Sequence, residues 1–376
     1  MRVLLSGGGT AGHINPALAI ASKLKERYPD CEFLFVGAKG RMETELVPKA
    51  GYPFQSITVQ GFSRSLSPKG IAHNLSTAYH VVAAGRDCNR ILKEFQPDLC
   101  VGTGGYVCGP ILRKAAKKGI PVVLHEANAF PGVTVKMLSK VAAAVCVVNE
   151  EDIPRLPEGA NVIVTGNPLR DGFLTFDKAT ARAELGLDDR PFVLSLGGSL
   201  GAFKINQLMA DVLTLSAADP TVRHLHATGR AEYDTFLETL KQNGVTPGEN
   251  GIEVRPYIDD MPRCMAAADL IVCRCGAMTT TELLAAGKPA ILIPSPNVAE
   301  NHQFFNAQVL VHKGAAVCME EKDLTADALF AQIRELTGDP AKLATMAQNA
   351  KNAAIIDAAD RIADVIDDVL SSRRNG

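Results

Sequence analysis

The sequence predicts an α/β protein built from two similar doubly wound domains, and three observations carry that reading. At 376 residues the chain is too long for one ordinary core. Short apolar strands recur, each followed by a glycine turn and a helical pattern, which is the alternation of a parallel sheet. Leu4-Leu5-Ser6-Gly7-Gly8-Gly9-Thr10 is echoed by Leu194-Ser195-Leu196-Gly197-Gly198-Ser199. The separation of about 190 residues fits two domains rather than a short-period array.

The first strand is expected at Val3 to Leu5, leaving no room for a signal peptide. The loop Ser6 to Gly12 follows, then an apolar helical stripe at Ala17, Ile20, Ala21 and Leu24. His13 sits at the mouth of this helix, which is expected to begin properly at Asn15-Pro16. A positive helix end favours the neutral imidazole, the form that accepts a proton; the plain alternative is a histidine that only caps or packs. Gly7, Gly9 and Gly12 match G-x-G-x-x-G. The strand Phe33 to Val36 ends in Gly37-Ala38-Lys39, however, where a nicotinamide enzyme places a ribose-binding acid, and so argues against a dinucleotide.

Residues 37 to 70 alternate Gly, Pro and charge and read as long loops. Ile71, Leu75, Tyr79 and Val82 form one helical stripe continued by Arg86, Arg90 and Lys93, a pattern open to core packing or to a membrane surface. Strands at Asp98 to Val101 and Pro121 to Leu124 end in Gly102-Thr103-Gly104-Gly105-Tyr106 and in His125-Glu126-Ala127-Asn128. Such polar tips are the edge at which open α/β sheets bind ligands. Val145 to Val148 and Val162 to Val164 complete the first sheet, and Gly166-Asn167-Pro168-Leu169-Arg170 reads as a hinge.

The second half restarts with the strand Phe192 to Leu196 and the loop Gly197 to Gly201. Strands follow at His224 to Ala227, Val254 to Ile258, Ile271-Val272 and Ala290 to Ile293. Between the last two, a turn at Cys275-Gly276 leads into a helix opened by Thr279, Thr280 and Thr281, placing Glu282 in its first turn. A carboxylate there can accept both hydroxyls of a ribose. Thr279 and Glu282 also fit the T-x-x-E capping box, in which the acid caps its own helix. Glu300 to Gln303 with Asn306 form a polar cluster at helical spacing, and Ala347 to Leu370 reads as one long closing helix.

Composition is that of a globular protein, 47% hydrophobic and 21% charged. The longest apolar run, Val141 to Val148, is far short of a membrane span. Nine cysteines with no C-x-x-C pair point to reduced thiols rather than a zinc site or a disulfide scaffold. Residues 1 to 170 carry 20 Lys+Arg against 13 Asp+Glu, whereas residues 171 to 376 carry 19 against 28. A basic half suggests an anionic partner. Without Trp, and without a basic-aromatic ribbon, that partner is read as a membrane leaflet and not nucleic acid.

Two such domains, facing across a cleft with glycine loops at their strand tips, suit a nucleotide-activated sugar. Charge builds on the departing diphosphate, and N–H donors fixed in advance lower that barrier without a metal. No Asp-x-Asp pair occurs. Arg170 and Ser199 are natural diphosphate partners, the one through its fork of donors and the other through its hydroxyl.

The blocks Gly8 to His13, Gly104 to Tyr106, His125 to Asn128, Gly166 to Arg170, Gly197 to Ala202, Cys273 to Ala277 and the Gln303 cluster stand in order and in register. In these the chain resembles the MurG family of peptidoglycan N-acetylglucosaminyltransferases. The resemblance implies a GT-B fold: a first domain (1–168) that handles acceptor and membrane, a UDP-GlcNAc domain (169–349), and a helix near 350–376 packing back on the first. It implies inverting transfer from UDP-GlcNAc to the 4-hydroxyl of lipid I, giving lipid II. Peripheral attachment to the anionic cytoplasmic face of the membrane and other cell-wall synthesis proteins as partners are implied as well. No cofactor is required on this reading; assistance by Mg²⁺ stays open.

By matched position, Ile258 and Ala277, Met278, Thr279, Thr280, Thr281 and Glu282 would hold uracil and ribose. Arg170 and Ser199 would face the diphosphate, Gln303 the GlcNAc hydroxyls, and Thr10, Ala11, Gly12 and Asn128 the donor from the first domain. His13 is the candidate general base, Glu126 the second. Ala11 stands where the family has glycine and Cys275 where it has serine. Ala11 is compatible with the loop only at negative φ or at the cost of αL strain. A diacylglycerol sugar transferase, a UDP-GlcNAc 2-epimerase and a non-catalytic UDP-sugar sensor are the competing readings.

Overall fold

The computed structural model describes residues 1–59, 84–169, 172–198 and 200–374. The stripe at Ile71, Leu75, Tyr79 and Val82 lies outside the described residues, as do Arg170 and Ser199. The chain divides into two compact units, Met1–Arg170 with Ile355–Gly376, and Asp171–Ala354.

Unit 1 contains β1 (Arg2–Ser6), α1 (Ala11–Arg27), β2 (Glu32–Ala38), α2 (Glu43–Lys49), β3 (Phe54–Ile57), a helix α3 described over 84–95, and β4 (Leu99–Gly102). It continues with α4 (Cys108–Lys117), β5 (Val122–His125), α5 (Val133–Leu138), β6 (Ala144–Val147), a 3₁₀ turn Glu150–Arg155 and β7 (Val162–Val164). Among the described residues its seven strands are all parallel, in the order β3-β2-β1-β4-β5-β6-β7. The runs VLLS, FLFV and VVLH are buried on both faces, the signature of strands covered by helices on either side.

Unit 2 contains α6 (Lys178–Glu184), β8 (Phe192–Leu196), α7 (Phe203–Ala218), β9 (Arg223–Ala227), α8 (Tyr233–Gln242), β10 (Ile252–Arg255), α9 (Met261–Ala267) and β11 (Leu270–Cys273). Then come α10 (Ala277–Ala285), β12 (Ala290–Leu292), α11 (His302–His312), β13 (Ala316–Cys318), α12 (Ala326–Thr337) and α13 (Pro340–Ala353). Its six parallel strands run β10-β9-β8-β11-β12-β13. In each sheet the first strand of its unit, β1 or β8, is flanked by the next strand on one side and the fourth on the other. That reversal is a topological switch point, and the glycine loops lie at its carboxyl edge.

Several expectations are corrected. Residues 37 to 70 are not all loop, since α2 and β3 fall within them. β10 ends at Arg255 rather than running to Ile258, because Pro256 has no N–H to donate to a ladder. α1 starts at Ala11, so Pro16 lies inside it. The closing helix is two: α13 stops at Ala353, Ala354 turns extended (ψ 134°), and α14 (Ala358–Arg374) belongs to unit 1. There Ile362, Ala363 and Ile366 join the core face of α1, and Arg27 bonds Asp364 at 2.6 Å and Asp367 at 2.8 Å. Among the described residues no helix is long and apolar enough to cross a membrane.

Candidate active site

In unit 1 the tips of β1 and β4 interlock. Thr10, extended at φ −144°, precedes the first turn of α1, where Ala11 takes helical geometry; it is absent from the residues with positive φ and carries no strain. Gly12 and His13 complete that turn. His13 Nδ1 lies 3.1 Å from the Thr103 carbonyl, and the Thr103 hydroxyl donates to the His13 carbonyl at 2.7 Å. A carbonyl only accepts, so Nδ1 carries a proton, and the neutral ring in this tautomer has its lone pair on Nε2. Gly104 (φ +105°) admits the ring, because a Cβ there would lie 2.6 Å from Nδ1. A Cβ at Gly105 would meet the Gly8 carbonyl at 2.4 Å, which holds the two loops backbone to backbone.

Glu43, which sequence reasoning missed, fixes this loop from below. It is fully buried, and its two oxygens accept from Gly9 N and Ala38 N, each at 3.0 Å. Nothing local marks it, since it sits among other charged residues of a stretch read as loop.

Glu126 is buried, and its carboxylate accepts from Asn128 N at 3.0 Å, Asn128 Nδ2 at 3.1 Å and Gly132 N at 2.8 Å. Three donors on one carboxylate make it the clasp of the 126–132 loop and fix Asn128 beside it. His125 is completely buried and bonded to the Gly166 carbonyl at 3.2 Å; burial holds its pKa down to about 4, so it is neutral.

In unit 2 the expected helix start is corrected. α10 begins at Ala277 with Gly276 as its cap, two residues before Thr279. The capping box therefore does not form, and Glu282 lies in the second turn, buried at 3% exposure. Thr280 and Thr281 point their hydroxyls back to the Ala277 carbonyl at 2.9 and 3.0 Å, satisfying themselves inside the helix. With Met278 they line its buried face, while Ala277 and Thr279 are half-buried. Ile258 is buried just beyond β10.

Gln303 and Asn306, one turn apart on α11, grip both sides of Cys275. Gln303 Oε1 accepts from Cys275 N at 3.4 Å and Ser295 N at 2.9 Å, and Asn306 Nδ2 donates to the Cys275 carbonyl at 3.0 Å. With its oxygen committed, Gln303 offers a ligand its NH₂ group. Buried Cys275 has its thiol pKa raised by desolvation, which makes it an inert spacer.

A buried polar chain under the β8 and β9 tips was also missed. Ser195 Oγ meets His226 Nδ1 at 2.9 Å, His226 Nε2 meets Asn206 Oδ1 at 3.1 Å, and Asn206 Nδ2 donates to the Thr228 carbonyl at 2.9 Å and to Glu232 at 2.7 Å. Its one signal is Asn206, which with Ser216 is polar on the mostly apolar buried face of α7. Among the described residues no group of three His, Cys, Asp or Glu is placed to hold a metal ion.

Two parallel-sheet Rossmann-like units with amide-lined tips at their switch points define the class, a glycosyltransferase of GT-B fold. Residues 3–147 match the glycosyltransferase family 28 N-terminal domain and residues 192–362 its C-terminal domain. The chain belongs to glycosyltransferase family 28 and, within it, to the MurG family. It is 44% identical, over 100% of both chains, to the UDP-N-acetylglucosamine--N-acetylmuramyl-(pentapeptide) pyrophosphoryl-undecaprenol N-acetylglucosamine transferase of Acetivibrio thermocellus. It is also 44% identical to the transferase of that name from a Thermoanaerobacter species, over 96% of this chain and 98% of the relative. The crystal structure of Acinetobacter baumannii MurG superposes with a TM-score of 0.78 at 28% identity, covering 98% of this chain and 99% of that one. The calicheamicin glycosyltransferase CalG4 (TM-score 0.66, 17% identity, 97% and 98% covered) shares the fold.

Proposed function

We propose that this enzyme transfers GlcNAc from UDP-GlcNAc, with inversion, to the 4-hydroxyl of the MurNAc of undecaprenyl-pyrophosphoryl-MurNAc-pentapeptide (lipid I), giving lipid II for peptidoglycan synthesis. The observation that carries this is identity of 44% along the whole length of a transferase with that printed name. It favours this acceptor over the diacylglycerol and epimerase readings.

His13 Nε2 takes the proton of the acceptor hydroxyl, the oxygen attacks the anomeric carbon, and the bond to UDP breaks on the opposite face. The tautomer set by Thr103 supports this role. Glu126, held by three donors, serves as a positioning residue that shapes the Asn128 loop. N–H groups of Thr10, Ala11 and Gly12 at the start of α1 meet the donor. In unit 2, Ile258 and Ala277 to Thr281 receive the uracil, Glu282 accepts the ribose hydroxyls, and the Gln303 NH₂ group donates to the sugar. Arg170 and Ser199 take the diphosphate.

Attachment to the anionic cytoplasmic face of the membrane belongs to unit 1. Val133, Met137 and Val141 are 56%, 60% and 51% exposed at spacings of four, beside Lys136 and Lys140. The test of the activity is incubation of the purified chain with UDP-GlcNAc and a lipid I analogue, read by product mass and anomeric configuration. A β-linked disaccharide product is expected, and turnover of UDP-GlcNAc alone, or only with diacylglycerol, would refute it.

A further inference from the structure

At the amino ends of the strands of unit 2, away from the glycine tips, lies a cavity of about 510 Å³. Lys288, just ahead of β12, is part of its wall and is 6% exposed. Its Nζ donates to the carbonyls of Ala266 at 2.6 Å and Ala268 at 3.0 Å, at the end of α9. Two N–H bonds directed at fixed carbonyls leave the remaining tetrahedral direction of the nitrogen for a lone pair.

The charges around it do not support a third N–H bond in that direction. Lys178 on α6 and Lys351 on α13 line the same cavity, and Arg182 acts on Lys288 from α6. Asp269 is the nearby carboxylate, but Lys178 and Arg182 already pair with it and Phe192 N donates to it at 2.7 Å. Asp177 accepts from Thr180 N at 3.0 Å as the cap of α6. Among the described residues no ion pair includes Lys288 or Lys351. Burial first, then Lys178, push the Lys288 amine down to about 7, with Asp269 opposing. A desolvated lysine beside other cations is the arrangement that produces a nucleophilic amine at neutral pH.

We propose that Lys288 is a site of covalent acylation by an acyl phosphate drawn into the cavity by Lys178 and Lys351. The neutral amine attacks the acyl carbon and a C–N bond forms. The bond from that carbon to the phosphate oxygen breaks, phosphate leaves with the electron pair, and the surplus proton on nitrogen passes to water. The resulting amide has one N–H where two are used, so Ala266 or Ala268 loses its donor. This happens at the foot of α10, whose earlier turns carry Ala277 to Glu282.

The test is site-resolved mass spectrometry of the full chain after brief exposure, between pH 6 and 9, to acetyl phosphate or to uncharged acetic anhydride. Both reagents should acetylate Lys288 with a half-maximal rate near pH 7, and at pH 7.5 about tenfold faster than the exposed Lys322. Lys351→Ala should slow acetyl phosphate at Lys288 at least threefold and acetic anhydride less. Labelling of Lys288 slower than that of Lys322, or a midpoint near that of an ordinary lysine, overturns the proposal. So does labelling by the anhydride alone, which would remove recruitment of the anion.

Discussion

His13 and Thr103 are joined twice, the imidazole Nδ1–H donating to the Thr103 carbonyl at 3.1 Å while the Thr103 hydroxyl donates to the His13 carbonyl at 2.7 Å. The ring is therefore held in one tautomer by one bond, and its own backbone is tied to the tip of β4 by the other. His13→Ala should cut turnover about 10²- to 10⁴-fold, the usual worth of a positioned base, with UDP affinity within about twofold of the parent. Steady-state rates and calorimetric UDP titration check this. Unchanged turnover would remove His13 as base.

Glu43 anchors the first glycine loop through two backbone amides. Glu43→Gln keeps the shape but turns an NH₂ group toward one of those N–H donors, stranding it. A loss of about 1–3 kcal/mol in stability is expected, measured by urea unfolding. Activity should fall with it, since the loop loses its support.

Glu282 is neither in the first turn of α10 nor part of a cap. Glu282→Ala should therefore leave helix content by circular dichroism unchanged while weakening UDP at least tenfold, the worth of a charged hydrogen bond to a ribose hydroxyl. Equal loss of helix and affinity would restore a structural role.

Histidines 224 and 226 are buried, and burial pushes their pKa values down to about 4 and about 3. The unfolded chain takes up protons below about pH 6.5 that the folded chain refuses. Stability should therefore be unaffected by these two above that pH and fall as pH drops toward 4, by on the order of 3 kcal/mol for each. Asp152, raised to about 7 chiefly by burial, works the other way over pH 7 to 4. The comparison that isolates the effect is His226→Gln against parent: its urea midpoint should fall less between pH 7 and pH 5.

The exposed row on and after α5 sets the last prediction. Met137→Asp with Val133→Asp should reduce sedimentation with anionic vesicles several-fold, leaving turnover of a short-chain soluble acceptor intact. Equal binding by the double variant would move the membrane contact elsewhere on the chain.

What the sequence by itself determined is local. Strands such as Val3 to Leu5 and Phe192 to Leu196 are apolar on both faces, and glycines at their ends mark turns whatever the rest of the chain does. The loops at Gly8 to Gly12, Gly104-Gly105 and Gly197-Gly198 were therefore legible, as was His13 just past the first of them. Helix limits were less so. T-x-x-E at Thr279 fits a cap as well as an interior, and only the turn gripped by Gln303 and Asn306 puts the start at Ala277. The break after Ala353 has no Gly or Pro to announce it; it arises because α13 packs in one unit and α14 in the other. Glu43 and Asn206 were decided by tertiary structure alone. A buried polar group is defined by the partners that satisfy it, and Glu43 and Asn206 find theirs on other segments, up to 34 residues away for Glu43, where no pattern along the chain records them.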